Sequence, residues 1–222
     1  MIIPGLLLGL YAQIKLTSAY NHYVRVPAES GLTGAQAARE ILDQSGLHDV
    51  PVGEVGGHLT DHYDPIKKAL FLSSENYHGR SLAALGVAAH ETGHALQQQA
   101  AYAPMKIRQT IAPVASIATN AAMWISFLGY FAGLSFLRSI IGFAIIVFLI
   151  IAVFQLVTLP VEYDASRRAK GQLLRLGLVS NREQAAVGQV LNAAALTYVA
   201  AMVSSLFTLL HLIMIARGND RD

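Results

Sequence analysis

The 222-residue chain has no cysteine, which excludes disulfide scaffolds, thiolate metal sites, iron–sulfur clusters and cysteine nucleophiles. Charge is scarce as well. Asp, Glu, Lys and Arg make up 14% of the residues, against about 25% in ordinary soluble domains. Together with 54% hydrophobic residues and a mean hydropathy of +0.44, this excludes a disordered chain and points first to a membrane protein. The net charge is only +2 and no basic block is longer than Arg167-Arg168, so nucleic acid is not an expected partner.

What the chain has in quantity is uncharged length. No charged residue occurs over 111–137 or over 139–161, and about 20 apolar residues cross a hydrocarbon core of about 30 Å as a helix. With Arg138 between them, these two runs are expected to form a helical hairpin in the bilayer. A third span is expected over 193–216. The segment 1–16 is shorter and carries Gln13 and Lys15; it is expected to be a fourth, N-terminal span with Lys15 snorkelling to the interface.

The soluble parts are then 17–110 and 162–192, and all 222 residues form one domain. Twelve Lys and Arg residues lie in these two parts, against Arg138, Arg217 and Arg221 on the other side. The positive-inside rule places both soluble parts in the cytoplasm. A hairpin returns its two flanks to the same side, so the two parts can build one site.

Local signals organise the soluble parts. A turn is expected over 27–31, then Thr33-Gly34-Ala35-Gln36 has capping-box spacing and opens a helix ending near Gly46. Two short strands are expected over 50–59 and 68–73, joined by a turn through Asp64-Pro65. An Ala- and Leu-rich helix follows over 81–99. A second capping box, Ser180 to Glu183, starts a helix that runs on into the last span.

Inside the 81–99 helix lies His90-Glu91-Thr92-Gly93-His94, an H-E-x-x-H sequence. Residues four apart share one helix face, so both imidazoles can reach one metal ion while Glu91 stands beside it. This is the two-histidine half of a catalytic zinc site, with the glutamate placed to take a proton from metal-bound water. With eight His and seven Glu in the chain, a chance match is expected on the order of 0.01 times, so the pattern carries information. The plain alternative is a helix whose histidines only pack or hydrogen-bond.

A catalytic zinc ion has three protein ligands and one open position. No histidine lies near residue 100 to complete the set, which leaves a downstream carboxylate. Glu162 and Asp164 stand just past the second uncharged run, where an unpartnered carboxylate is costly. The plain alternative for Glu162 is an interfacial acid paired with Arg167 or Arg168. His58, His62, Tyr163, Asn192 and Tyr198 are candidate donors to an oxyanion, and spacing does not select among them. His22, His48, His78 and His211 have no partner at ligand spacing and read as surface or interface residues.

The stretches 57–65, 88–95, 155–169 and 191–201, in that order along nearly the whole chain, resemble the YugP-like family of bacterial membrane neutral zinc metallopeptidases. That family is distantly similar to the heat-shock membrane proteases and the CAAX prenyl proteases. The resemblance implies one catalytic zinc ion held by His90, His94 and Glu162, with Glu91 as general base and a protein or peptide as substrate. It also implies the bacterial inner membrane, the lipid bilayer being the medium, and leaves a homo-oligomer or membrane partner open. In the relatives the third ligand opens an E-x-x-x-D sequence; the aspartate position is Ser166 here, so the contact that braces a ligand histidine falls to Ser166 or to Asp164.

The expected fold class is thus mainly α: a polytopic membrane protein with about four transmembrane helices and a small cytoplasmic zincin-like α+β unit. Rival readings are an intramembrane protease, a membrane scaffold with a structural or inactive metal site, and a transporter. The apolar run around the motif, 81–96, is short for a span, which places the motif at or above the bilayer surface. A transporter is disfavoured because no long apolar run holds a charged residue.

Overall fold

The computed structural model describes residues 2–219, and within them every side chain except those of 2, 130, 132–139, 218 and 219. In chain order the elements are α1 (Ile2–Tyr23), α2 (Gly34–Asp43), β1 (Val52–Val55), β2 (His62–Asp64), β3 (Ala69–Ser73), α3 (Ser74–His78), α4 (Leu82–Gln99), α5 (Ala103–Ser139), α6 (Ile141–Arg175) and α7 (Asn181–Asn219).

Helix starts follow the caps. Thr33 and Gln36 form a reciprocal capping box on α2, Ser81 Oγ accepts from the Ala84 N–H at the start of α4, and Glu183 reaches back to the Ser180 N–H at 2.8 Å to open α7. Each satisfies backbone donors that a helix start leaves orphaned.

The sheet differs from the expected pair of strands. It has three strands in the order β1-β3-β2, with β1 parallel to β3 and β2 antiparallel to it. The stretch 50–59 does not stay extended, because Gly56-Gly57 breaks it. Gly57 adopts φ 109°, a backbone region that disfavours side chains, and the Thr60 hydroxyl donates to the Gly56 carbonyl at 3.0 Å to close the turn. The hairpin through Asp64-Pro65 therefore joins β2 to β3, and β2 is left on the sheet edge beside α4.

Among the described residues, three helices are long and apolar enough to cross a membrane: Ala103–Gly129 of α5, α6, and Asn181–Arg217 of α7. Helix α1 is not among them. It lies along α7, where the Ser204 hydroxyl donates to the Gly5 carbonyl at 3.0 Å, and turns Leu6, Leu7, Leu10 and Ile14 outward. Helix α5 ends at Ser139 and α6 begins at Ile141, a close reversal; the side chain of Arg138, which separates the two uncharged runs, lies outside the described ones.

The soluble core is built around α4. Ile41 of α2, Leu85, Ala89 and Leu96 of α4, Leu173 of α6 and Val187 of α7 share one buried cluster. Helix α6 does not end where the uncharged run ends. It continues through Pro160 and Glu162 to Arg175, so one helix carries the expected third ligand directly from the apolar bundle to the motif helix.

Candidate metal centre

His90 and His94 project from one face of α4, as their spacing requires, with ring centroids 4.9 Å apart. Opposite them stands Glu162 of α6, 2% exposed. Its Oε2 lies 3.1 Å from His90 Nε2 and 3.7 Å from His94 Nε2. Two donors about 2.1 Å from one ion at the tetrahedral angle are themselves about 3.4 Å apart, so the observed separations bracket those of a shared divalent cation. One donor atom from each residue lies within 4.8 Å of the others, and the three form a group that could hold a metal ion. The donor set of two imidazoles and a carboxylate suits zinc.

The close approach of α4 to α6 depends on Gly93. A Cβ at this position would lie 2.6 Å from the Ala165 carbonyl oxygen, inside contact distance with a backbone atom. A glycine here lets the two helices meet at the level of the ligands.

Further side chains fix the orientation of each donor. Gln97 Nε2 donates to the Val161 carbonyl at 2.7 Å and to Asp164 Oδ2 at 3.0 Å, which aims its Oε1 at His94 Nδ1, 3.0 Å away. An amide oxygen only accepts, so His94 is protonated on Nδ1 and Nε2 is the ring nitrogen that faces Glu162. His90 Nδ1 meets the Ser166 hydroxyl at 3.1 Å. Ser166 and Asp164 thus both brace the motif histidines: the first touches His90 directly, the second acts on His94 through Gln97. Asp164, not Glu162, is the acid that pairs with Arg167 and Arg168.

Glu162 has its own support. Arg108 Nη1 of α5 lies 3.1 Å from Glu162 Oε1, a cation that offsets the buried negative charge, and Tyr198 of α7 lines the same cavity. Burial opposes charge on the His94 imidazole, but the Glu162 carboxylate beside it favours the charged form and raises its pKa above the ordinary histidine value. The same negative potential attracts a cation.

Glu91 lies beside the group without joining it. Its Oε2 accepts from the Tyr63 N–H of the edge strand β2 at 3.0 Å. His90, Glu91, His94 and Glu162 all line a cavity of about 320 Å³. Of the five candidate oxyanion donors, His62 and Tyr198 line this cavity. His58 instead pairs with Glu75 at 3.1 Å, Asn192 lines a groove against α1, and Tyr163 is half exposed. His48 and His78 pair with Asp43 and Glu54, and His22 packs edge-on against Tyr23.

Arg108, Gln97 and Tyr63 did not stand out in the sequence. Gln97 falls three residues after His94 on the same helix face, which is a usable signal. Arg108 and the Tyr63 N–H are brought in by tertiary packing and have no local pattern.

Residues 1–217 match the family described as "Putative neutral zinc metallopeptidase". The chain is 47% identical to the protein named "Putative membrane protease YugP" of Bacillus subtilis (strain 168), over 100% of this chain and 98% of that protein. No solved structure matches. With a match that spans almost its whole length, the chain belongs to this family of neutral zinc metallopeptidases.

Proposed function

We propose that this protein is a membrane-bound zinc endopeptidase in which His90, His94 and Glu162 hold one zinc ion and Glu91 is the general base. The observation that carries the reading is the convergence of two imidazoles and one buried carboxylate from two different helices, with a second carboxylate, Glu91, beside them and outside the set. When bound, the ion supplies Lewis acidity, lowering the pKa of a water from 15.7 toward about 7.

The chain's own groups do the rest. Tyr63 N–H holds Glu91 Oε2, leaving Oε1 to take the proton of the attacking water and pass it to the leaving amine. Gln97 and Ser166 keep the ligand histidines in one tautomer and orientation. His62, Tyr198 and Arg108 are the donors on the cavity wall available to a developing oxyanion. The edge strand β2 offers its backbone to an extended substrate, which suits recognition of peptide backbone over side chains.

Lys106 and Arg108 at the start of α5, Arg167, Arg168 and Lys170 on α6 and Arg182 on α7 share the end of the bundle that holds the site. This clustering supports a cytoplasmic active site in a bacterial inner membrane, with α1 as a short fourth span beside α7. Three converging protein donors, one fewer than a closed structural zinc site uses, favour a catalytic ion over a scaffold.

The test is Glu91→Gln, a substitution that removes the base and spares the ligands. It should retain one zinc per chain by elemental analysis and lose about 10²–10⁴-fold in cleavage of an unfolded protein substrate. Undiminished turnover would remove Glu91 from the reaction.

A further inference from the structure

A second cavity, of about 390 Å³, opens beside the metal cavity. The two share Tyr63, Met105 and Gln109 in their walls, so they form two arms of one groove. The groove passes between the β2–β3 hairpin, the end of α4 and the first turns of α5. The second arm carries Lys68 and Lys106, and no Asp or Glu lines it. Neither lysine has an ion-pair partner among the described residues, whereas the adjacent Lys67 is engaged with Asp64 at 3.7 Å.

At the junction of the arms, Gln109 Nε2 is buried and has no hydrogen-bond partner among the described residues. A buried amide donor without an acceptor is costly and rare in folded proteins. Within this groove, an extended peptide would complete both features. One of its backbone carbonyls would accept from Gln109, and a carboxylate further along would neutralise the two lysines.

We propose that the lysine-lined arm is a substrate subsite that selects an aspartate or glutamate side chain on one side of the scissile bond, with Gln109 positioning the intervening backbone. The inference rests on the peptidase reading above and names the substrate class of that site. Two unpaired cations facing one groove give selectivity through charge, and an acid on the substrate is favoured where a lysine would be repelled.

The experiment uses the full-length, detergent-solubilised, zinc-loaded protein and a set of C-terminally amidated fluorogenic peptides. These are identical except for Gln→Glu at each of four positions on either side of the cleaved bond. Glutamate should raise kcat/KM by about threefold to tenfold at one position, or two adjacent ones, on a single side. The double variant Lys68→Glu/Lys106→Glu, altered only at exposed positions, should reverse the preference and favour a Lys peptide over a Glu peptide. Gln109→Leu should raise KM for Glu and Gln peptides alike.

Equal cleavage of Glu and Gln peptides at every position overturns the subsite, as does a preference unchanged by the double variant. A preference seen only when the peptide ends in a free carboxylate assigns the arm to a chain terminus and overturns the side-chain assignment. If no peptide is cleaved, the peptidase reading fails by itself. The subsite is then decided by fluorescence anisotropy on Glu91→Gln protein: at least threefold tighter binding of the labelled Glu peptide than of the Gln peptide sustains it, and equal binding overturns it.

Discussion

The carbonyl oxygen of Ala165 sits 2.6 Å from where a Cβ on Gly93 would stand, so the fourth residue of the H-E-x-x-H sequence is a packing contact with the helix that brings Glu162. The motif and Glu162 are coupled through this contact.

Gly93→Ala tests the coupling. In an exposed helix the change would stabilise by up to about 1 kcal/mol. Here the obstacle is backbone and overpacking wins, with an expected net loss of about 1–3 kcal/mol. Thermal melting and zinc titration should both register it: a lower Tm and weaker zinc binding. An unchanged zinc affinity would mean that helix separation does not set the ligand geometry.

Glu162 and Asp164 are two residues apart on α6 and are expected to behave differently. Glu162→Ala removes a donor and should abolish stoichiometric zinc. Asp164→Asn leaves all three donors and disturbs the Gln97 bridge to His94 together with the pairs to Arg167 and Arg168, so zinc should remain bound with affinity weakened about tenfold to a hundredfold. The reverse order of effects, read by zinc competition with a chromophoric chelator, would make Asp164 the ligand.

Ser166 offers a test in the opposite direction. Ser166→Ala takes away the hydroxyl that meets His90 Nδ1 at 3.1 Å and should weaken zinc by about tenfold. Ser166→Asp, which restores the acid found in the distant relatives, should bind zinc more tightly than the native chain. Equal affinities across the three would leave His90 oriented by packing alone.

Much of this was legible locally. The caps at Thr33 and Ser180 are short-range patterns that read the same in sequence and structure, and the placing of His90 and His94 on one face follows from their four-residue spacing. The rest is non-local. Pairing of β1 with β3 skips the intervening strand and depends on the break at Gly56-Gly57. Helix α6 outlasts the uncharged run because loss of apolar character ends a lipid-compatible stretch, not a helix. Arg108 reads as one more interfacial cation until packing sets it 3.1 Å from Glu162. The hairpin implied that the flanks share one side, but the pairing of Ser166 with His90 and of Gln97 with Asp164 required coordinates.

Metal removal separates an enzyme from a scaffold. The buried cluster of Ile41, Leu85, Leu173 and Val187 includes none of His90, His94 and Glu162, so the fold is expected to survive removal of the ion. Excess chelator should silence cleavage and leave far-UV circular dichroism unchanged, with a fall in Tm no larger than the lost binding energy explains. Loss of helicity on chelation would indicate a structural ion.

The most direct test of the metal centre is an anomalous difference map recorded at the zinc edge from crystals of the Glu91→Gln protein. The predicted result is a single peak about 2.0–2.2 Å from His90 Nε2, His94 Nε2 and a Glu162 carboxylate oxygen, lost in Glu162→Ala. A peak elsewhere, or one at this position that survives without Glu162, would contradict it.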